Sequence, residues 1–258
     1  MTLANSPLAV TPLDDGAIWR VAIGGSKGNI LDGAVMQALA GLFRDAAAAP
    51  HLKAICLEGQ GAHFSFGASV AEHLPPHAGP MLAAFHGALL AMIDSAVPVL
   101  AAVRGQCLGG GLELVSLCHR VVAAHDARMG QPEIMLGVFA PIASLVLAGR
   151  VGRGAADDLC LSGRSVTADE ALAMRLVDQI AADPGEAAVA WARTHLLPKS
   201  ASSLRYAVRA SRAGLRARLA TELPAIERLY LDGLMSTADA VEGLTAFIER
   251  RPVAWRDA

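Results

Sequence analysis

Four cysteines stand in 258 residues, at positions 56, 107, 118 and 160, and no two are spaced as a metal-binding or redox pair. That scarcity excludes a thiolate zinc site and a disulfide framework, so the cysteines read as small buried apolar residues. Cys107 borders a glycine run, where a helix N-terminus can acidify a thiol, but no histidine lies near it in sequence to serve as its base. No apolar run approaches the roughly 20 residues of a membrane-crossing helix. The opening Met1-Thr2-Leu3-Ala4-Asn5 lacks the basic start of a secretory leader, so a cytoplasmic location with no membrane partner is expected. Charge is also sparse, at 18% of residues with a formal net charge of −2, and gives no general attraction to nucleic acid. There is no internal repeat and no low-complexity linker.

What the chain has instead is apolar residues, at 53%, enough for one large core or a core with a small helical lobe. So apolar a subunit is also expected to bury surface in an oligomer. Ile18–Ile23, Ala54–Leu57, Val99–Val103 and Val121–Ala124 read as strands, and Gly33–Ala49 and Met81–Ser95 as helices closed by Pro50 and Pro98. Strand and helix alternate, which predicts an α/β layered domain. From about Thr167 the strand signals fade, and Ala168–Leu176, Ala187–His195, Ser203–Leu219 and Leu223–Met235 read as helices. The expected organisation is a core over residues 1–166 and a helical lobe over 167–258.

Gly109-Gly110-Gly111-Leu112-Glu113 is followed by Gln131-Pro132-Glu133. Three glycines let main-chain N–H groups approach a ligand closely. A helix beginning near Gly111 would add its positive end and carry Glu113 in its first turn. Taken alone, the triplet fits equally well a flexible loop with Glu113 as a dipole partner.

Further motifs extend this pattern. Phe64-Ser65-Phe66-Gly67-Ala68-Ser69-Val70, Gly105 through Leu114, and Gly130 through Gly137 together resemble, in order and spacing, the F-x-x-G-A-D-[ILV], G-x-x-x-G-G-G-x-E-L and G-Q-P-E-x-x-L-G motifs of the crotonase superfamily, the enoyl-CoA hydratases and isomerases. The resemblance runs from Leu13 to about Pro252. It implies a crotonase (ClpP-like) spiral of ββα units with a helical C-terminal trimerisation lobe, assembled as a homotrimer or a dimer of trimers. It also implies an acyl-CoA thioester substrate, with coenzyme A entering as part of that substrate and no metal or other cofactor.

The resemblance assigns the oxyanion hole to the backbone N–H groups of Ala68 and Gly110, and acid/base catalysis to Glu113 and Glu133. Retention of both carboxylates implies hydration rather than double-bond migration. CoA contacts fall on Lys27, Asn29, Leu31, Phe247 and Arg250. Phe247 and Arg250 read equally as a helix-packing residue and a solvated charge. The acyl pocket is expected to include Phe66, His73, Phe139 and Pro141. His63, His73 and His77 do not form a helical metal site, because Pro75 and Pro76 interrupt them; they read as loop surface, with His73 a candidate pocket residue.

Two departures from the family pattern matter. Ser69 replaces an aspartate, and Gly137-Val138-Phe139-Ala140-Pro141 through Leu147 lacks the usual glycines. These segments resemble the subgroup that hydrates the ring diene thioester formed by reduction of benzoyl-CoA, in anaerobic aromatic degradation. The product expected there is a 6-hydroxycyclohex-1-ene-1-carbonyl thioester. A generic 2-enoyl-CoA hydratase or isomerase is the alternative within the class. A non-catalytic CoA- or RNA-binding relative is the alternative outside it, since Arg205, Arg209, Arg212 and Arg216 share one helical face; a solvated face is the plainer reading of that stripe.

Overall fold

The computed structural model describes residues 6–257. The N-terminal hairpin, β1 (Leu8–Leu13) and β2 (Ile18–Ile23), leads into helix α1 (Gly33–Ala48) and strand β3 (Ala54–Gly59). Helix α2 (Ala78–Asp94), strands β4 (Val99–Val103) and β5 (Gln106–Leu108), and the short helix α3 (Gly110–Ser116) follow. Strands β6 (Arg120–Ala123) and β7 (Arg128–Gly130) precede helices α4 (Pro141–Val151) and α5 (Arg153–Ser162). The remainder comprises β8 (Ser165–Thr167), α6 (Ala168–Ala173), β9 (Gln179–Ile180), α7 (Pro184–His195), α8 (Ala201–Arg228) and α9 (Ala238–Glu249).

One sheet has the order β1-β2-β3-β4-β6-β9, with β1 antiparallel to β2 and the rest parallel; a second has the order β5-β7-β8. Strand β4 is apolar throughout, and β3 and β6 are apolar apart from Glu58 and Arg120 near their ends, because both faces are covered. Ile55, Leu57, Val99, Ala101 and Val121 face the main core under α1 and α2. Their neighbours Ala54, Cys56, Leu100, Ala102 and Val122 pack against Ala188, Val189 and Ala192 of α7.

Helix α1 starts where Asp32 accepts the N–H of Val35 at 2.9 Å. It buries Val35, Met36, Leu39, Leu42, Phe43 and Ala46 along one stripe. Its C-terminal carbonyls find a distant donor: the Arg205 guanidinium donates to Ala46 O at 2.9 Å and to Ala49 O, and also to Ser95 O at the end of α2 at 3.1 Å. Arg212 donates to Cys118 O and Arg216 pairs with Asp94. The arginine stripe is therefore neither a solvated face nor an open phosphate site at these three positions, because it fastens α8 to the body of the protein.

Sequence and structure part company in three places. The expected break between Leu219 and Leu223 is absent. Helix α8 runs on through Pro224, whose ring and missing N–H cost about 3 kcal/mol, while Leu219 and Leu223 bury their side chains. Strand signals do not end at 167, since β9 completes the edge of the large sheet at Val122 and Ala123. The short strands β5, β7 and β8 and the edge strand β1 are additional to those the sequence pattern predicts. Among the described residues no helix is long and apolar enough to cross a membrane.

Candidate active site

The site is assembled where the segment after β3, the turn into α3, and the turn after β7 converge. Gly109 holds φ 51° and ψ −124°, a conformation that only glycine adopts readily. A Cβ there would stand 2.5 Å from Glu133 Oε1. Gly110 begins α3, so no preceding helical turn receives its N–H. A Cβ on Gly110 would meet the Phe85 ring at 2.8 Å and Ala68 N at 3.2 Å. Ala68 is set by a parallel bridge to Leu31, and its N–H has no acceptor among the described residues. The two candidate oxyanion donors are thus neighbours, and glycine at 110 keeps the space between them open.

Glu113 lies in the first turn of α3 and is only 4% exposed. Its carboxylate accepts the N–H of Ala143 at 2.9 Å and also that of Ile142, both from the first turn of α4. Helix α4 begins with Pro141 in its first position, where proline is preorganised and its missing N–H loses nothing. Burial raises the Glu113 pKa and these helix N–H groups oppose that rise. Glu133 sits in the 3-10 turn Pro132–Leu136. Burial is the main cause of its raised pKa, and the adjacent Glu113 charge raises it further. The pair is therefore built to hold one proton near neutrality, and the α4 N–H groups favour the charged form of Glu113.

An inner cavity of about 60 Å³ is lined by Glu113, Glu133, Ala68 and Gly110 together with Phe66, His73, Phe139 and Pro141. The expected acyl-pocket residues are thus brought together with the carboxylates. Tyr230, not foreseen, backs this wall: its ring meets Phe139 edge-on at 5.3 Å and lies 6.4 Å from His73. His73, expected at the pocket, is held by its own turn, Nδ1 donating to Ser69 O at 2.8 Å.

An outer cleft of about 860 Å³ shares Phe66, Ala68 and Val70 with the cavity and opens between Lys27 and Phe247. Of the expected CoA contacts, these two line it. Asn29 and Leu31 do not: both are buried, at 3% and 1% exposure. The Asn29 amide donates to the carbonyls of Gln60, His63 and Phe64, so it ties two loops together instead of facing a ligand. Leu31 is a core residue beside the Ala68 bridge. Arg250 caps α9 in a left-handed conformation, and Arg251 takes the place on the cleft wall, paired with Glu242 and Glu249. Cys107 is fully buried and burial pushes its thiol well above the ordinary range, which removes it as a nucleophile. No cluster of three or more metal-ligating side chains occurs among the described residues.

The main element that sequence reasoning missed is the N-terminus of α4 aimed at Glu113. Pro141 ahead of Ile142-Ala143-Ser144-Leu145 carried the signal, as proline in a first helical position.

Residues 17–258 match the model of the enoyl-CoA hydratase/isomerase family. The chain is 47% identical over 257 residues to the cyclohexa-1,5-dienecarbonyl-CoA hydratase of Thauera aromatica, covering 100% of both proteins. A crystal structure of an enoyl-CoA hydratase from Mycobacterium avium subsp. paratuberculosis superposes with a TM-score of 0.81 at 30% identity, over 97% of this chain and 99% of that one. One from Bacillus halodurans gives 0.86 at 18% identity, over 93% and 100%, a likeness of fold. By the match of nearly its whole length, this chain belongs to the enoyl-CoA hydratase/isomerase family.

Proposed function

We propose that this protein adds water to a conjugated cyclic dienoyl-CoA, converting cyclohexa-1,5-diene-1-carbonyl-CoA to 6-hydroxycyclohex-1-ene-1-carbonyl-CoA. The observation that carries the reaction type is the convergence of two buried carboxylates and two unengaged main-chain N–H groups on one cavity. The ring substrate is supported by full-length similarity to the Thauera enzyme and by the aromatic wall of Phe66, Phe85 and Phe139, with Tyr230 packed edge-on against Phe139, which suits a flat ring.

The thioester oxygen sits between the N–H groups of Ala68 and Gly110. Glu113, its charge supported by the first turn of α4, takes a proton from water as the oxygen bonds to the β-carbon. The electron pair moves onto the thioester oxygen and through the second alkene. Glu133 delivers its proton to the far end of that system, which makes the addition 1,4. Charge develops on the thioester oxygen during attack, so donors fixed in advance favour the transition state over the ground state. The chemistry requires neither metal nor redox cofactor. CoA would lie in the outer cleft past Lys27 and Phe247. A homotrimer or dimer of trimers is part of this reading, supported by exposed apolar side chains such as Met135, Leu161 and Leu172.

The test is turnover of the ring diene thioester and crotonyl-CoA side by side, following product mass. Water added to the ring diene in preference to crotonyl-CoA is the expected result. Equal or better turnover of crotonyl-CoA would replace the ring reading with a straight-chain one.

A further inference from the structure

One polar residue on the inner cavity takes no part in the chemistry above. His86 of α2 lines the cavity and is 2% exposed. Its Nδ1 is hydrogen-bonded to the carboxylate of Glu227, which reaches across from α8. Its Nε2 is buried with no partner among the described residues. A carboxylate at Nδ1 accepts the proton there and fixes the tautomer, which leaves the lone pair on Nε2. Burial also lowers the pKa of the imidazole, favouring the neutral ring. The cavity wall therefore carries an oriented hydrogen-bond acceptor, on a helix that otherwise offers the cavity only Met81, Leu82 and Phe85. Buried acceptors are rarely left unpaired, since their desolvation is then uncompensated.

We infer that His86 Nε2 is a recognition point for a hydroxyl on the acyl group, so that the site takes ring thioesters carrying a hydroxyl remote from the thioester carbonyl. This rests on the ring-thioester reading above and names a wider substrate class for it. A hydroxyl placed against α2 pairs with Nε2 or with nothing on that helix. Glu227 positions the ring without touching the ligand. An unsubstituted ring still fits and leaves Nε2 to water. A ring hydroxyl that reaches Nε2 adds one hydrogen bond that the unsubstituted ring does not make, a modest net gain.

Benzoyl-CoA, 3-hydroxybenzoyl-CoA and 4-hydroxybenzoyl-CoA are flat ring thioesters that separate binding from hydration. Titration calorimetry of the wild-type protein should show at least one hydroxylated isomer binding about tenfold more tightly than benzoyl-CoA. His86→Phe should level the series, with the three thioesters binding within about twofold of one another whatever the change in their common affinity. His86→Gln, which retains an acceptor, should keep part of the preference, and Glu227→Gln should weaken it by releasing the tautomer. Thermal melts identify any variant that fails to fold, and the remaining variants then carry the test. Equal binding of all three thioesters by the wild type, or a preference that survives His86→Phe, overturns the inference. No binding of any of the three overturns the ring-thioester reading and this inference with it.

Discussion

The carboxylate of Glu113 is hydrogen-bonded to the main-chain N–H of Ala143 at 2.9 Å, so an acid on α3 is held by the first turn of α4. That contact separates two glutamates that share one cavity. Glu113 has helix donors to support its charge, and Glu133 has the charge of Glu113 to suppress its own.

Glu113→Gln and Glu133→Gln should each lower kcat by about 10²–10⁴, the usual contribution of a positioned acid or base. The double variant should lose little more than the worse single, because the two act as one unit. Steady-state hydration assays on the three proteins check this, and additive losses would separate the roles.

The pH profile should be bell-shaped. On the acid side Glu113 gains a proton and ceases to be a base, and on the alkaline side Glu133 loses the proton it delivers. The two limbs belong to the pair and not to either residue alone. Stability carries the same signature. Both carboxyls bind protons more tightly folded than unfolded, so the native state holds more protons between about pH 4.3, the unfolded value, and the raised native values. Stability therefore falls as pH rises through that window. Urea midpoints across this range should show the decline, and Glu133→Gln should flatten it.

Gly109→Ala should be damaging in two ways. The backbone conformation costs roughly 1–3 kcal/mol for a residue with a Cβ, and that Cβ would displace Glu133. A misplacement of about 1 Å can cost on the order of 10² in rate. Chemical denaturation and kcat should both report the loss, whereas Gly149→Ala, with nothing near its Cβ, should report neither.

Lys27→Ala and Phe247→Ala should raise KM for the CoA thioester severalfold with kcat nearly unchanged, as expected when binding shared by ground and transition states is removed. Asn29→Ala should act differently, lowering stability by about 1–3 kcal/mol through the carbonyls it leaves unpaired. Comparing KM with the denaturation midpoint of each variant tells a ligand contact from a structural tie.

Much of this was legible in advance. The strands Ile18–Ile23 and Val99–Val103 agree residue for residue with expectation, because apolar runs between turn residues leave little choice. The glycine run and both glutamates could be found from spacing. The structural role of the Asn29 side chain could not be read in advance, since an amide that crosslinks loops and one that contacts a ligand look alike in a one-dimensional string. The three-residue strands β5, β7 and β8 have too few residues to show a period. The support given to Glu113 by α4 arises between residues 30 apart in sequence, which no local pattern encodes.

Arg205 has a consequence for how the chain reaches its native state. Its contacts to Ala46 O and Ala49 O span 159 and 156 residues, so the end of an early helix is completed by a side chain from the last quarter of the molecule. Closure over so long a loop is entropically expensive and slow relative to local helix formation. Helix α1 can therefore form early on its apolar stripe, but its final turn should lock only when α8 docks. Hydrogen-exchange protection at residues 46–49 should then appear in step with α8, later than in the first turns of the same helix.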